Sequence, residues 1–276
     1  MEDLRHSPSW PVPRRFLTVL CGTVFVVSSG AALCQVPGQL VVPRKAPLVL
    51  KTERGSYTIH TELKEFDSDR DEFIKPSFAA KAKKKAEFPG ESFVGTARTA
   101  AKLSIGTGEV EEFASVGDLI ATLPTKEDME KKDISTDEGS DRVAEEERNV
   151  RLKCFLYAAS KEADNDFHLI LGDAPGGPRK LMTMELAGLP PSSSASFGTL
   201  KAARKAFNDF FQSGGQDRRP GGNYDFYDPP IPVEIAGSLF FDQSHVHGTP
   251  PGPSRLRALM PVIWEVHPIT KITFEP

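Results

Sequence analysis

A mainly β fold of α+β class is predicted by the order of elements in residues 148–276. Three strand-like runs come first, then one amphipathic helix, then two more strand-like runs. Turn signals separate the runs, and the helix shows apolar residues at helical spacing. Three strands, a helix and two strands is the order of a five-stranded Greek-key barrel with one helix between strands three and four, an OB-like fold. A small α+β segment and a disordered tether are expected ahead of it. The order names a scaffold and leaves the activity open, because such barrels host unrelated functions.

The expected strands can be placed one by one. Val150–Ala159 is the first, and Asp166–Leu171 the second, closed by Gly172-Asp173 and the turn Pro175-Gly176-Gly177. Leu181–Leu186 is the third, ending at Gly188 and the break Pro190-Pro191. Ser192–Ser196 leads into the helix, where Leu200, Ala203, Phe207, Phe210 and Phe211 share a face while Lys201, Arg204 and Lys205 are expected to point away. A helix in this position plugs one end of a barrel, which makes its phenylalanines core residues. Gly214–Gly222 is a loop, Val233–Phe241 the fourth strand and Ile263–Phe274 the fifth.

The N-terminus reads as a signal peptide over residues 1–34. Arg14 and Arg15 end a basic region, Phe16–Val27 is apolar and uncharged, and Ser28–Ala32 offers the small residues that signal peptidase requires. The competing reading is a membrane anchor, but the run falls short of the roughly 20 residues that span a bilayer. Leu33 before Cys34 fits a lipoprotein site poorly. A secreted or periplasmic location follows, with no transmembrane helix after cleavage. A cut after Cys34 leaves Cys154 as the one cysteine, so no internal disulfide forms. Cys154 lies in an apolar strand and reads as a buried small hydrophobe.

Residues 35–90 are expected to be a largely disordered tether. Prolines break 35–47, charge dominates 65–72, and Lys81–Lys85 holds four lysines in five residues. Such composition buries too little apolar surface to offset chain ordering. Tyr57–Leu63 alternates and could form a short strand. Residues 91–147 form the expected lead-in. Phe93–Ile105 reads as a strand. Ser115-Val116-Gly117-Asp118 and Thr125-Lys126-Glu127-Asp128 each read as a helix start, with Pro124 between them. Glu109–Glu147 holds fourteen acidic and four basic residues and lacks the spaced loop of a calcium site, which makes it a solvated acidic connector.

The formal net charge of −4 becomes −5 once residues 1–34 are removed. Nucleic-acid binders carry a basic excess, so the balance counts against that class. Phe155, Tyr157, Phe167, Tyr224, Phe226 and Tyr227 could include a stacking platform, but Asp225 and Asp228 would repel phosphates. Tyr224–Tyr227 is therefore expected to be an exposed packing arm, or a loop facing protein or sugar.

Candidate chemistry gathers near the C-terminus. Asp242, His245 and His247 follow strand four, while Glu265 and His267 share one face of strand five because they are two apart. Imidazoles and carboxylates suit zinc or a similar divalent metal. The expected ligand set is His245 or His247 with Glu265 and His267, and Asp242 as a further ligand or the partner of a histidine. The bland alternative is that these residues sit in a loop and on a solvent face. Asp164, Asp166 and His168 begin strand two, and this acidic start resembles that of secreted OB-fold nucleases. Those enzymes also need two positioned arginines, and Arg179, Arg204, Arg218 and Arg219 are available. No nucleophile motif is present.

Four segments carry a further resemblance: Arg148–Arg151, Phe167–Gly172, Pro232–Asp242 and Trp264–Pro268. Together they resemble an uncharacterised family of exported bacterial proteins with FHLI-G, GSLF-D and WEIHP-type segments in that order. The resemblance covers residues 141–274, and the loop His245–Arg257 departs from the pattern. It implies an exported bacterial protein. The expected function is a non-enzymatic binding module of the cell envelope or exterior, with an envelope polymer or protein as partner. The alternative is a metal-dependent hydrolase, possibly nuclease-like, built on the last two strands.

Overall fold

The computed structural model describes residues 47–63, 87–247 and 251–276. The expected signal peptide and the lysine run at 81–85 lie outside these residues. Eight strands form one mixed sheet: β1 (Leu48–Lys51), β2 (Ser56–Glu62), β3 (Val110–Phe113), β4 (Asn149–Lys161), β5 (Phe167–Gly172), β6 (Leu181–Leu186), β7 (Tyr224–Phe241) and β8 (Trp264–Phe274). Their order is β1-β2-β7-β8-β6-β5-β4-β3, and β7 also pairs with β4. That extra pairing joins β4, β5, β6, β8 and β7 into a ring. Two neighbours are parallel, β6 with β8 and β3 with β4. A parallel pair needs a long crossover. Between β6 and β8 it is supplied by helix α4 (Phe197–Phe211) and β7.

The long strand β7 serves three neighbours. Its first residues pair with β2, the stretch from Asp225 to Ser238 with β4, and its last half with β8. Gly237 is required where β8 crosses it, because a Cβ there would meet the Pro268 carbonyl oxygen at 2.5 Å. One face of the ring strands points into the main core, with Leu169, Met184, Leu239, Trp264 and Val266 all 2 % exposed or less. Helix α4 buries Leu200, Ala203, Phe207 and Phe211 against it. Phe207 lies 4.7 Å from the rings of both Phe167 and Phe211, and Phe210 stacks on Phe274 at 3.9 Å. Each such side chain contributes about 1.5–3 kcal/mol by leaving water. A smaller apolar cluster on the other face joins Tyr157, Ile170, Leu181 and Phe226 to Leu256 and Met260. Cys154 is buried as expected, and burial pushes its thiol pKa up.

The lead-in holds helices α1 (Thr99–Leu103), α2 (Val116–Ala121) and α3 (Lys126–Glu130). The two helix starts fall where expected, since Ser115 accepts from the Asp118 N–H and Thr125 from the Asp128 N–H. Val116, Leu119 and Met129 enter the main core. The Trp264 indole N–H donates to the Pro124 carbonyl at 2.9 Å, closing this segment onto β8.

Five expectations need correction. Residues 93–105 contain α1 and no strand, because Ala100, Ala101, Lys102 and Leu103 are strong helix formers and outweigh the Thr and Val content. Residues 48–62, within the expected tether, form the hairpin β1–β2, and Leu50, Tyr57 and Ile59 enter the core. Tyr224–Tyr227 is a buried part of β7 paired to β2 and β4, neither an exposed arm nor a stacking platform. The acidic run is not wholly solvated. Glu146 is fully buried and receives both Nη atoms of Arg98 at 2.7 Å. Arg204 points inward and is 4 % exposed. The errors other than α1 arose where tertiary contacts buried residues that local composition left polar.

Candidate metal centre

Strand alternation puts a polar set on the face opposite the main core. On β5, His168 alternates with Phe167 and Leu169. On β6, Glu185 alternates with Met184 and Leu186, and on β8, Glu265 and His267 alternate with Trp264 and Val266. The registers His168↔Glu185 and Met184↔Val266 bring the three strands' polar residues together. Asp166 joins them from the turn before β5. This turn is tightly specified: Asn165 has φ of +78°, Asp164 Oδ1 accepts from the Asp166 N–H at 3.0 Å, and Asp166 Oδ1 accepts from the Gly188 N–H. Asn165 tolerates this left-handed backbone better than most residues.

The face is sealed by the lead-in. Phe93 donates to the Leu189 carbonyl, Val94 to the Asp164 carbonyl, and Asn165 Nδ2 to the Ser92 carbonyl. Gly188 admits this close approach, since a Cβ there would meet the Phe93 Cα at 2.6 Å. Above β7 and β8, Arg98 lies 4.8 Å and Lys102 Nζ 5.8 Å from the Phe240 ring. As a result Asp166 and His267 are 0 % exposed, and Glu185 and Glu265 3 %.

Asp166, Glu185 and His267 offer ligand atoms that all lie within 4.8 Å of one another. His267 Nδ1 is 2.9 Å from Glu185 Oε2, its Nε2 is 3.5 Å from Asp166 Oδ2, and Glu265 Oε2 is 3.9 Å from Nδ1. Asp166 Oδ2 and His267 Nε2 are buried and make no hydrogen bond among the described residues, while His267 Nδ1 and Glu185 Oε2 face only each other, at 2.9 Å. Leaving such atoms unsatisfied is costly. Glu185 also reaches the rim, where its Oε1 is 2.9 Å from His168 Nε2, and Glu162 stands 3.8 Å from His168 Nδ1.

The electrostatics are severe. Burial first, then the charges of Asp164 and Glu185, push the Asp166 carboxyl well above its ordinary value. Burial, then Glu185 and Asp242, push Glu265 up in the same way. Burial also works to raise Glu185, but the attraction of His168 and His267 overrides it and holds the group well below the ordinary range. Burial lowers the His267 pKa, against the opposing pull of Glu185. Lys102 loses solvation too, yet Glu185, Asp164, Asp242 and Asp166 hold its pKa up. Protonation of Asp166 and Glu265, or a cation bound among the carboxyls, would relieve this buried set.

Of the expected ligands, Glu265 and His267 fall in this cluster. His245 does not join them: its Nε2 lies 3.2 Å from Asp242 Oδ2, and this pair sits at the end of β7. His247 is exposed. Asp166 and Glu185 were missing from the expected ligand set. Asp166 was visible as an acid heading strand two. Glu185 could have been found as the one charge in the apolar run Leu181–Leu186, but placing it beside His267 needs the parallel β6–β8 pairing. The arginines considered for a nuclease are engaged elsewhere. Arg204 bonds backbone carbonyls, Arg219 pairs with Asp217, Arg218 bonds Gln216 and the Val49 carbonyl, and Arg179 lies over Tyr157.

Compared with protein-family models, curated proteins and solved structures, the chain matches none.

Proposed function

We propose that this protein is an exported, non-enzymatic module with an OB-like barrel, holding one divalent transition-metal cation on Asp166, Glu185 and His267. The single observation that carries the cation reading is the convergence of buried donor atoms from Asp166, Glu185 and His267 to within 4.8 Å of one another, with Asp166 Oδ2 and His267 Nε2 unbonded among the described residues. Tetrahedral ligands about 2.0–2.2 Å from zinc stand about 3.3 Å apart, so small side-chain movements would close the present spacings. The imidazole favours a transition metal such as zinc or manganese over calcium. Glu265, whose Oε2 lies 3.9 Å from His267 Nδ1, is the reserve carboxylate.

The sealed face supports a held cation rather than a hydrolytic one. A catalytic metal keeps an open position for water and substrate, whereas here the cover of residues 91–105 lies over the donors. The OB-like reading is supported by the ring β4-β5-β6-β8-β7 with α4 between its third and fourth strands in chain order. Export rests on residues 1–34 and on the family resemblance. An envelope polymer or a protein is the proposed partner.

The test is elemental analysis of the purified full-length protein, with melting temperature measured in zinc, manganese and calcium. About one equivalent of bound transition metal, a metal-dependent rise in melting temperature, and loss of both in His267→Ala are expected. A metal-free protein that no cation stabilises would overturn the reading. Turnover of a phosphodiester or peptide by the metal-loaded protein would overturn its non-enzymatic part.

A further inference from the structure

A buried arginine, Arg204, and a half-buried one, Arg142, lie outside the donor set and bond the backbone beside Asp166 and Glu185 and at His267. Arg204 projects from α4, and its Nη1 lies 3.1 Å from the Asn165 carbonyl oxygen, 3.2 Å from that of Leu186 and 3.0 Å from that of Ala187. Asn165 immediately precedes Asp166, and Leu186 immediately follows Glu185. Arg142 projects from the lead-in. Its Nη2 donates to the carbonyl of His267 itself at 2.7 Å and to that of Ser104 at 2.9 Å. Its Nη1 donates to the carbonyls of Leu239 at 2.5 Å and Glu146 at 3.1 Å.

We propose that Arg142 and Arg204 are positioning residues that set the geometry of the cation centre by clamping the backbone beside Asp166 and Glu185 and at His267. This rests on the cation reading above. The physical basis is the planar guanidinium, which presents several donors in a fixed fork. The clamped carbonyls sit where the strand ladders end or shift: before β5, after β6, and at the irregular β7–β8 crossing beside Gly237. Buried carbonyls require hydrogen bonds, and the guanidinium N–H groups supply them here. Each arginine joins points distant in sequence, so it fixes one donor strand relative to another. Arg204 links the entry of β5 to the exit of β6, and Arg142 links β7, β8, the end of α1 and the turn at Glu146. A metal centre needs its donors held closely, and removing groups that orient ligands typically weakens metal affinity about 10–100-fold.

The experiment uses the full-length protein and cobalt(II), whose visible spectrum reports coordination geometry. Arg204→Met and Arg142→Met are compared with Arg204→Lys and Arg142→Lys, and with Phe211→Leu as a core-destabilising control away from the donors. The expected result is cobalt affinity weakened about 10–100-fold in the Met variants with shifted ligand-field bands. Partial recovery is expected in the Lys variants, and the control should lose melting temperature while keeping the wild-type spectrum. If a Met variant fails to fold, the matching Lys variant carries the test through its band positions. Arginine variants that melt earlier but keep the wild-type affinity and spectrum would overturn the positioning role and leave the cation reading intact. A wild-type protein that binds neither cobalt nor zinc would overturn the cation reading, and the positioning role with it.

Discussion

The two faces of the ring strands are both buried, yet they are built on opposite principles. One face meets α4, α2 and α3 through Phe207, Leu119, Met129, Trp264 and their neighbours and contains almost only carbon. The other, along the same residues of β5, β6 and β8, carries His168, Glu185, Glu265 and His267 beneath the lead-in cover. On the first face, stability grows with area removed from water. On the second, burial of charge costs free energy that only partners can offset. Identical strand geometry thus supports a passive core on one side and a chemically demanding site on the other.

The comparison is broken most severely on the apolar side. Phe207→Ala should cost about 3–5 kcal/mol through lost burial and the cavity left between Phe167 and Phe211, with little change in metal content. Chemical denaturation and elemental analysis would check both parts. Arg98→Met should cost a similar about 3–5 kcal/mol for the opposite reason, because Glu146 would stay buried with its charge uncompensated. If the loss is small, the Arg98–Glu146 pair is not what holds the cover.

The cation itself comes next. Raising its free concentration to about 100 times the dissociation constant should stabilise the protein by about 2.7 kcal/mol. Chelator should reverse that gain, and His267→Ala should not show it. Thermal melts with and without chelator measure the effect. A smaller change is expected from Glu265→Gln in the cation-free protein. Its carboxyl pKa is raised in the folded state. Wild-type stability is therefore full below the unfolded value of about 4.3 and falls as pH rises through the folded value. Glutamine mimics the protonated form, so the variant should gain on the order of 1 kcal/mol at neutral pH, and the gain should vanish toward about pH 4. A pH-independent difference between the two melting curves would refute this. The least effect belongs to the surface: Arg151→Ala removes an exposed ion pair with Glu112 and should cost under about 1 kcal/mol.

Much of the fold was legible residue by residue. β4, β5, β6, α4 and β8 fall within a few residues of their expected places, and the second half of β7 does too, because alternation, helical spacing and Gly/Pro punctuation are local signals. The caps at Ser115 and Thr125 were legible for the same reason. The candidate site was half legible. Glu265 and His267 share a face by period alone, whereas Asp166 and Glu185 reach them only through a parallel pairing across α4 and β7. His245 pairs with Asp242 at the end of β7, a contact that spacing along the chain left open. Arg204 misled because its place on the helix read as polar, although the carbonyls it serves lie against that helix.

What the amino-acid sequence by itself determined is the set of elements and which side of each strand is polar, since both follow from spacing along the chain. What only the tertiary structure decided is that the polar side is also buried. Residues 91–105 lie over it, and no local pattern encodes that contact. Dehydration by that cover turns four ordinary acids and bases, Asp166, Glu185, Glu265 and His267, into groups with displaced pKa values. A charge that water would have solvated must there find a partner, and that requirement is what makes the cluster a candidate metal centre.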